Sequence, residues 1–515
     1  MKNARLQTAR SPASPLPASE SPTSESPASD TPASPLPATP SLLWLRDDLR
    51  LSDNPALAAL AEARVPLAAL YVLDEDSPGV RPLGGAARWW LAQSLRALAT
   101  DLKDRGVPLI LRRGPANRVV PEVAALLGAA TVAFNDRAGA AETRVDHAVA
   151  ARLLSEDRRV LSFCAHLLHP PGSVEGASGG MPRTFSSFLR AALKARRLDT
   201  PLPAPRHLEG VAHPPQGETL ESFGLEPTHP DWAGGLRTAW TAGEAAAQAR
   251  LADFIDGGLT GYAEGRDRPD QDHVSRLSPH LRFGELSPRQ ILTAVRHAAD
   301  AGAVPLADAD KFEAELYWRE FSYHLLAEMP DLARRNIQSS FDAFPWRECP
   351  GELKAWHKGL TGYPLVDAGL RQLWQTGWMH NRVRMVVASF LTKHLLLDWR
   401  SGEDWFWDTL VDADGANNAA SWQWVAGSGL DAAPYFRIFN PVTQGEKFDP
   451  DGAYVRTYVP ELRKLPAALI HKPWTADAET LAHAGIRLGH TYPRPLVDHG
   501  AARERALRAF ESTRK

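Results

Sequence analysis

Between residues 41 and 170, short apolar runs alternate with longer amphipathic segments, and this alternation constrains the fold more than any other feature of the sequence. Strands alternating with helices predict a parallel sheet covered by helices, so we expect a Rossmann-like α/β domain over residues 41–170. The predicted strands are 41–46, 65–73, 108–112 and 131–134. The predicted helices are 55–64, 88–105 and 117–127.

The first of these helices has a recognisable start. Asp53, Asn54 and Pro55 combine a capping side chain with a proline suited to the first helical turn. Ligands on parallel sheets bind beyond the carboxyl ends of the strands. However, no G-x-G-x-x-G or G-x-x-x-x-G-K-[ST] motif follows any of the predicted strands, so a phosphate site of either type is not expected there.

The rest of the chain has three different patterns. Residues 1–40 are almost entirely Pro, Ser, Ala and Thr, which predicts a disordered leader. Residues 171–240 are rich in Pro, Gly and Ser and predict a long interdomain linker, interrupted by a short helix at 184–194. Residues 241–515 show helical periodicity with almost no strand alternation, so we expect an all-α second domain.

Composition narrows the class of protein. The formal net charge is −3, so there is no global basic field for coating nucleic acid, although a local basic cleft is compatible with it. The two cysteines lack C-x-x-C spacing, which argues against a disulfide framework or a zinc site and indicates a reducing compartment. No apolar run is long enough for a membrane span. We therefore expect a soluble, cytoplasmic monomer without a structural metal.

Two segments of the predicted helical domain concentrate polar and aromatic side chains. Residues 412–424 hold two acids, three amides and two indoles in an Ala-rich context, and residues 378–385 combine an amide, cations and thioethers. Buried polar groups need partners, so these segments together predict a site for a polar, planar ligand. The alternative is a solvated loop followed by an ordinary aromatic core helix.

Two further clusters are weaker signals. Ser275 and Ser278, on either side of Arg276, could bind a phosphate through hydroxyls and backbone N–H groups, but Ser-x-x-Ser-Pro is also a common helix N-cap. Glu315 and Arg319 lie one helical turn apart, which suits a site but equally a surface ion pair. The chain has 16 tryptophans, which indicates stacking or redox use beyond simple core packing.

In combination, these segments resemble the photolyase/cryptochrome flavoprotein family over most of the chain from Ser41. The resemblance rests on six ordered matches, at 43–50, 275–279, 318–321, 361–368, 378–385 and 412–440. It implies an N-terminal α/β antenna domain and a C-terminal helical domain that binds FAD. The implied activity is light-driven electron transfer from reduced FAD to a flipped-out pyrimidine dimer in UV-damaged DNA.

The resemblance also assigns cofactor roles to individual residues. Ser275 and its neighbours would hold the phosphates and ribose, Arg384 and Asp412 would pair beside the flavin, Asp414 would accept from the ring imide, and Asn418 would face flavin N5. The complete set implied to bind FAD is Tyr262, Ser275, Arg276, Leu277, Ser278, Arg384, Asp412, Ala413, Asp414 and Asn418.

Roles toward DNA and in electron transfer follow in the same way. Glu315 would hydrogen-bond the dimer, assisted by Asn381. The residues implied to act on the dimer are Glu315, Asn381, Met385, Trp318 and Trp424. The residues implied to contact DNA are Arg266, Glu315, Trp318, Arg319, Asn381, Arg382 and Gln444. Trp422, Trp399 and Trp346 match the family's chain of indoles that carries electrons to photoexcited flavin.

Some positions discriminate between members of the family. Members that repair the (6-4) photoproduct have a histidine where this chain has Met385 and a leucine where it has Arg382, so the resemblance favours a class I cyclobutane pyrimidine dimer photolyase. Cryptochromes tend to replace the equivalent of Asn418 and carry a tail, whereas this chain stops soon after Ala501. A blue-light sensor and a (6-4) photolyase are the alternatives.

Two positions depart from the family pattern. Val274 replaces a threonine that usually contacts a phosphate, so Ser275 would carry more of that interaction. In the antenna region, Glu142 resembles a folate contact, but Ala141 stands where folate binders have asparagine. The sequence therefore leaves four possibilities for the antenna site: methenyltetrahydrofolate, 8-hydroxydeazaflavin, FMN or no chromophore.

Overall fold

The computed structural model describes residues 39–176, 179–196, 199–431 and 436–513. The part from Thr39 onward is one compact unit. Almost all of the predicted leader lies outside the described residues, so the structure does not bear on it. We call residues 39–163 the α/β lobe and residues 244–513 the helical lobe.

The α/β lobe is built on a five-stranded, fully parallel sheet in the order β3-β2-β1-β4-β5. The strands are β1 Ser41–Leu45, β2 Leu67–Leu73, β3 Leu109–Arg113, β4 Thr131–Asn135 and β5 Arg159–Phe163. The expected parallel α/β architecture is confirmed, with one more strand than the sequence pattern indicated. Strand β5 was missed because it is a half-exposed edge strand with only a weak apolar run.

Helices cover both faces of this sheet. They are α1 Pro55–Glu62, α2 Gly85–Lys103, α3 Ala116–Leu127 and α4 Ala140–Ser155. Because side chains alternate along a strand, Leu43 and Leu45 of β1 pack in the core with α1 and α2, whereas Leu42 and Trp44 pack with α3 and α4. Asn54 caps α1 as predicted, its side chain accepting a hydrogen bond from the backbone of the helix.

The connecting segment is more ordered than a free linker. It contains the helices α5 Phe185–Ala195 and α6 Gly234–Ala239. Between them the backbone returns along the sheet: Gly210 bridges Leu67 of β2, and the Glu218 amide donates to the Leu111 carbonyl of β3 at 2.8 Å. This segment therefore forms part of the packing around the α/β lobe.

The helical lobe contains no strand among the described residues. Its first helices are α7 Glu244–Asp253, α8 Tyr262–Gly265, α9 Ser278–Arg282, α10 Pro288–Asp300, α11 Leu306–Glu328, α12 Pro350–His357, α13 Pro364–Thr376 and α14 Asn381–Ser389. The remaining helices are α15 Trp399–Thr409, α16 Asn417–Ala426, α17 Pro441–Phe448, α18 Ala453–Tyr458, α19 Ala467–Ile470, α20 Ala478–Ala484 and α21 His499–Ser512. None of the helices described is both long and apolar enough to cross a membrane.

Buried carboxylates join the two lobes. Glu285 is fully buried and accepts hydrogen bonds from Trp90 Nε1 at 3.1 Å and from the Gly243 amide at 2.8 Å, with further bonds to Ser94 and His280. A buried carboxylate is stable only when such donors surround it. Glu285 therefore ties α2 of the α/β lobe to the start of the helical lobe.

We expect Glu285→Ala to lower the free energy of unfolding by about 3 kcal/mol or more, because several buried donors lose their acceptor together. Chemical denaturation followed by circular dichroism measures this change. Glu504→Ala, at an exposed position on α21, is the control and should leave the unfolding midpoint unchanged. A Glu285→Ala variant as stable as the parent would contradict this role in joining the lobes.

Candidate active site

A cavity of about 620 Å³ lies in the helical lobe, between α8, α9, α11, α14, α16 and the turn before α16. Its size is that of a site for a cofactor or a comparable organic molecule. The serine-containing segment 275–278, the segment 378–385 and the polar segment 412–424 all contribute to its lining. The structure thus brings together three segments that the sequence singled out.

The lining includes nearly all of the predicted site residues. Those expected to bind FAD that line it are Tyr262, Ser275, Arg276, Leu277, Ser278, Arg384, Asp412, Ala413, Asp414 and Asn418. Those expected to act on DNA or carry electrons that line it are Arg266, Glu315, Trp318, Arg319, Asn381, Arg382, Met385, Trp422 and Trp424. Gln444, on α17, and the tryptophans Trp399 and Trp346 lie outside this lining.

Asp412 links the serine segment to α14. Its carboxylate accepts a hydrogen bond from Ser278 Oγ at 2.6 Å and forms a two-point ion pair with Arg384, at 3.2 and 2.8 Å. The Arg384 Nε atom also donates to the Met379 carbonyl at 2.7 Å, which fixes the plane of the guanidinium. The predicted pair between Arg384 and Asp412 is therefore present and is held rigidly at the cavity wall.

The serine segment is shaped by backbone contacts. Arg276 has a φ of +53°, which turns the chain sharply between the two serines. Arg250 of α7 donates to the carbonyls of Ser275 at 2.8 Å and Val274 at 3.2 Å. These carbonyl oxygens are thus occupied by a cation, and the groups of this segment that suit an anionic ligand in the cavity are the Ser275 hydroxyl and the Arg276 guanidinium.

Asp414 caps the N-terminus of α16. Its Oδ1 atom accepts from the backbone amides of Ala416 at 2.9 Å and Asn417 at 2.6 Å, and its Oδ2 atom accepts from Asn417 Nδ2 at 2.8 Å. The family resemblance implies that this carboxylate binds a ring imide, whereas no pattern in the sequence indicates its capping role. Both functions would have to share the same two oxygens.

Asn418 is held by a residue that sequence reasoning missed. Its Nδ2 atom donates to the backbone carbonyl of Glu403 at 3.0 Å and to Glu403 Oε1 at 2.8 Å. Since the amide nitrogen has only two hydrogens, Oδ1 is the atom left to face the cavity. Glu403 lies on α15 and is fully buried. An acidic residue fifteen positions before the amide carries no local sequence signal for this contact.

At the other end of the cavity, Glu315 lies among cations and aromatic side chains. It forms an ion pair with Arg266 and lies 3.8 Å from Lys311. The Glu315 side chain is 26% exposed, so it is accessible to a ligand in the cavity. Trp318, one helical turn away on α11, stacks face to face on Phe185 of α5 at 3.7 Å between ring centroids. This stacking holds the Trp318 indole rigidly at the cavity wall.

Arg319 and Arg382, like Arg266, already have partners within the protein. Arg319 donates to the His166 carbonyl at 2.9 Å and to its ring, and its guanidinium is buried over Tyr323. Burial, with the adjacent guanidinium, lowers the pKa of His166 well below its usual value, which keeps this acceptor neutral. Arg382 forms an ion pair with Asp267 at 2.5 Å. Arg319 therefore lines the cavity while its guanidinium is also bound to His166.

The three tryptophans predicted to carry electrons share one hydrophobic cluster. Trp422 and Trp399 are buried, while Trp346 is partly exposed and packs against Phe344 in a tilted arrangement, with 4.3 Å between ring centroids. The Trp399 indole donates to Asn336 Oδ1 at 2.9 Å. Trp422 lines the cavity and Trp346 is partly exposed, so the two ends of the predicted electron path lie at the cavity wall and toward solvent.

A second cavity, of about 330 Å³, lies between the lobes. Its lining includes Glu142 and Ala141, the two positions that differ in how well they resemble a folate-binding antenna site. Arg282 and Asp414 line both cavities, so these two side chains form a shared wall. Arg282 also joins the lobes, since it forms an ion pair with Asp47 at 2.7 Å and donates to the Ala413 carbonyl at 2.8 Å.

Comparisons with known proteins agree with this architecture. Residues 41–206 match the family model described as DNA photolyase, and residues 312–512 match the one described as the FAD binding domain of DNA photolyase. The chain is 50% identical over 478 residues to a deoxyribodipyrimidine photo-lyase of Agrobacterium fabrum, covering 92% of this chain and 98% of that protein. It is 35% identical over 485 residues to cryptochrome-2 of Arabidopsis thaliana, and this match covers 92% of this chain and 79% of that protein.

A solved structure, the class III photolyase of Agrobacterium tumefaciens, superimposes with a TM-score of 0.91 at 49% identity, covering 94% of this chain and all of that chain. The fold and the cavity define a flavoprotein with an α/β lobe and a helical FAD-binding domain. More specifically, the chain belongs to the photolyase/cryptochrome family.

We expect Asp412→Ala to weaken FAD binding by about tenfold or more, because Arg384 and Ser278 lose a shared buried partner and the serine segment is no longer fixed. Flavin retention after gel filtration and a fluorescence titration with FAD measure this effect. Asp300→Ala, at an exposed position at the end of α10, is the matched control and should retain flavin fully. Undiminished FAD affinity in Asp412→Ala would contradict the proposed link.

Proposed function

We propose that this protein repairs cyclobutane pyrimidine dimers in DNA in a light-dependent reaction. When bound, reduced FAD supplies the electron that light drives into the substrate. The observation that carries the proposal is that Glu315, Asn381 and the aromatic walls line the same cavity as the FAD-binding set. A damaged base in this cavity would lie directly beside the cofactor.

The lining suits a pyrimidine dimer that has left the DNA stack. Flipped bases are recognised by stacking on aromatic or apolar side chains and by hydrogen bonds to their polar edges. Trp318 and Trp424 supply flat apolar surfaces and Met385 a soft contact. The carboxylate of Glu315 and the amide of Asn381 supply the polar groups. The Glu315 carboxylate would accept a hydrogen bond from an N–H group on the edge of the base, and this bond would orient the dimer.

The rim of the cavity suits the sugar-phosphate backbone. Arg266 and Arg382 lie on this side, each paired with an acidic residue, and Lys311 is exposed beside them. Cations at the rim attract phosphates and make binding depend on salt concentration. This local patch explains how a chain with a net charge of −3 could bind DNA.

The relatives bear on which member of the family this is. The residues Met385 and Arg382 favour cyclobutane dimers over (6-4) photoproducts. The sequence motifs predict a class I enzyme, whereas the structure matched at 49% identity is a class III photolyase. A match over the whole chain carries more weight than a few motifs, so the similarity to that structure favours class III. We propose repair of cyclobutane dimers whether the protein belongs to class I or to class III. Cryptochromes among the relatives keep a blue-light sensor as the second candidate.

We expect Glu315→Ala to lower repair at least fivefold with FAD content unchanged, because a hydrogen bond to a charged group contributes about 1.5–3 kcal/mol. The assay mixes enzyme carrying fully reduced flavin with UV-irradiated oligothymidylate and follows the recovery of thymine absorbance under blue light. Glu328→Ala, at an exposed position on the same helix, is the control and should repair normally.

The wild-type result separates the two candidate functions. A repair enzyme restores the absorbance and binds irradiated DNA more tightly than intact DNA. No recovery with reduced flavin, together with equal affinity for both DNAs, would reject repair and favour a sensor. Loss of flavin from Glu315→Ala would contradict the substrate role proposed for Glu315.

For Trp346→Phe, we expect light-driven reduction of oxidised flavin to fall at least tenfold, because the partly exposed end of the proposed electron path is removed. Repair by enzyme that is chemically reduced beforehand should stay near the parent rate. Absorption spectra recorded during illumination measure the first quantity, and the oligothymidylate assay the second. Trp232→Phe, on the surface near α2, is the control for the loss of an indole. If Trp346→Phe lost both activities equally, Trp346 would have a structural role and not a role in electron transfer.

A further inference from the structure

Asn418, the amide proposed to face the flavin, is connected to the α/β lobe through one intermediate residue. Glu403 accepts both hydrogens of the Asn418 amide nitrogen. On its other side, the Glu403 carboxylate forms a two-point ion pair with Arg81, with distances of 2.7 and 3.0 Å. Arg81 lies in the connection between β2 and α2, more than 300 positions earlier in the sequence.

The position of Arg81 is fixed by several contacts. Its guanidinium also binds Asp404 at 2.7 Å and lies 4.1 Å over the ring of Trp407. The Trp407 indole in turn donates to the Pro82 carbonyl at 2.9 Å. A Cβ atom on Gly84 would lie 2.0 Å from the Trp407 carbonyl oxygen, so only glycine allows this close approach to α15.

Two acceptors on Glu403, its backbone carbonyl and its carboxylate, bind the NH₂ end of Asn418, so the amide oxygen is the end that faces the cavity. An ionised carboxylate is only an acceptor, so it can bind the NH₂ end of Asn418 but not its oxygen. A protonated carboxyl group can also donate, and could bind either end. Glu403 is fully buried, and a buried carboxylate is stabilised by a cation that pairs with it. Arg81 is the cation that contacts it.

We propose that Arg81 is a positioning residue for the flavin site: by pairing with the Glu403 carboxylate, it keeps that carboxylate in place as an acceptor and so holds the Asn418 oxygen toward flavin N5. This inference rests on the placement of FAD in the function proposed above. An oxygen acceptor at that point favours flavin states that carry a hydrogen on N5, because it can accept a hydrogen bond from N5–H but only repels an unprotonated N5. The α/β lobe thereby controls a proton equilibrium in the helical lobe.

Other charged groups near this path are paired among themselves. Asp404 is shared between Arg81 and Arg334, which donates to it at 3.0 Å. On the cavity side, Asp414 caps α16, and Arg384 is neutralised by Asp412. The ion pair between Arg81 and Glu403 is thus the contact through which a charge change reaches the amide.

The test is a pH titration of the one-electron-reduced flavin in the holoenzyme, read from its visible absorption spectrum. In Arg81→Gln, the pH at which half of the flavin has lost its N5 hydrogen should fall by about one unit or more, a tenfold change in the equilibrium. Arg81→Lys, which keeps a cation, should recover most of this shift. Asp404→Asn, which removes only the other partner of Arg81, should titrate like the parent.

A double-mutant cycle distinguishes action through Glu403 from a general structural effect. Glu403→Gln should also lower the titration pH, and the combined Arg81→Gln/Glu403→Gln variant should show no larger shift than Glu403→Gln alone. Additive shifts, an upward shift or an unchanged titration in Arg81→Gln would each overturn the proposal, even if that variant unfolds at a lower temperature. These spectra do not require DNA, so failure of the repair assay and failure of this inference are distinguishable.

Discussion

The structure of the site depends on the interaction of one buried carboxylate, that of Asp412, with a cation and a hydroxyl from two other segments. Ser278 and Arg384 come from parts of the chain that are more than 100 residues apart, and neither has another acidic partner among the contacts described. Once Asp412 has joined them, the serine segment, α14 and the turn before α16 enclose the cavity. Packing of apolar side chains alone would not fix these three segments in one register.

Buried acids have the same role at the boundary between the lobes. Glu285 and Glu403 are fully buried on the helical side, and Glu244 is almost so. Glu244 accepts from the backbone amides of Leu51 at 2.6 Å and Ser52 at 3.0 Å. In each case the donor is supplied wholly or partly by the α/β lobe. The boundary is therefore polar and specific, because each of these acids pairs with a cation or a hydrogen-bond donor on the other side of it.

Local patterns in the sequence predicted local structure well. The first four strands, the cap on α1 and the short helix α5 follow directly from apolar periodicity and capping residues. The meeting of the polar segments around one cavity followed from the family resemblance and from their unusual composition. Strand β5 was missed because an edge strand needs little apolar character when one side is open to solvent.

Contacts between distant parts of the chain were not predicted, because no periodicity or spacing encodes them. The pair of Arg81 and Glu403 spans 322 positions, and the sequence shows only an arginine in a loop and a glutamate on a helix. Arg319 lines the same cavity as Glu315, as its helical spacing suggested, but its contact with His166, 153 positions away, has no signal in the sequence. Side chains with long reach are placed by tertiary packing.

The polar boundary limits how the two halves can be exchanged between relatives. A chimaera that joined this helical lobe to the α/β half of another family member would leave Glu244, Glu285 and Glu403 inside the molecule without some of their donors, unless the foreign half supplied equivalent groups. The two halves therefore have to evolve as a matched pair. A recombination event in the connecting segment would be tolerated only when the incoming α/β half also provides donors for all three acids.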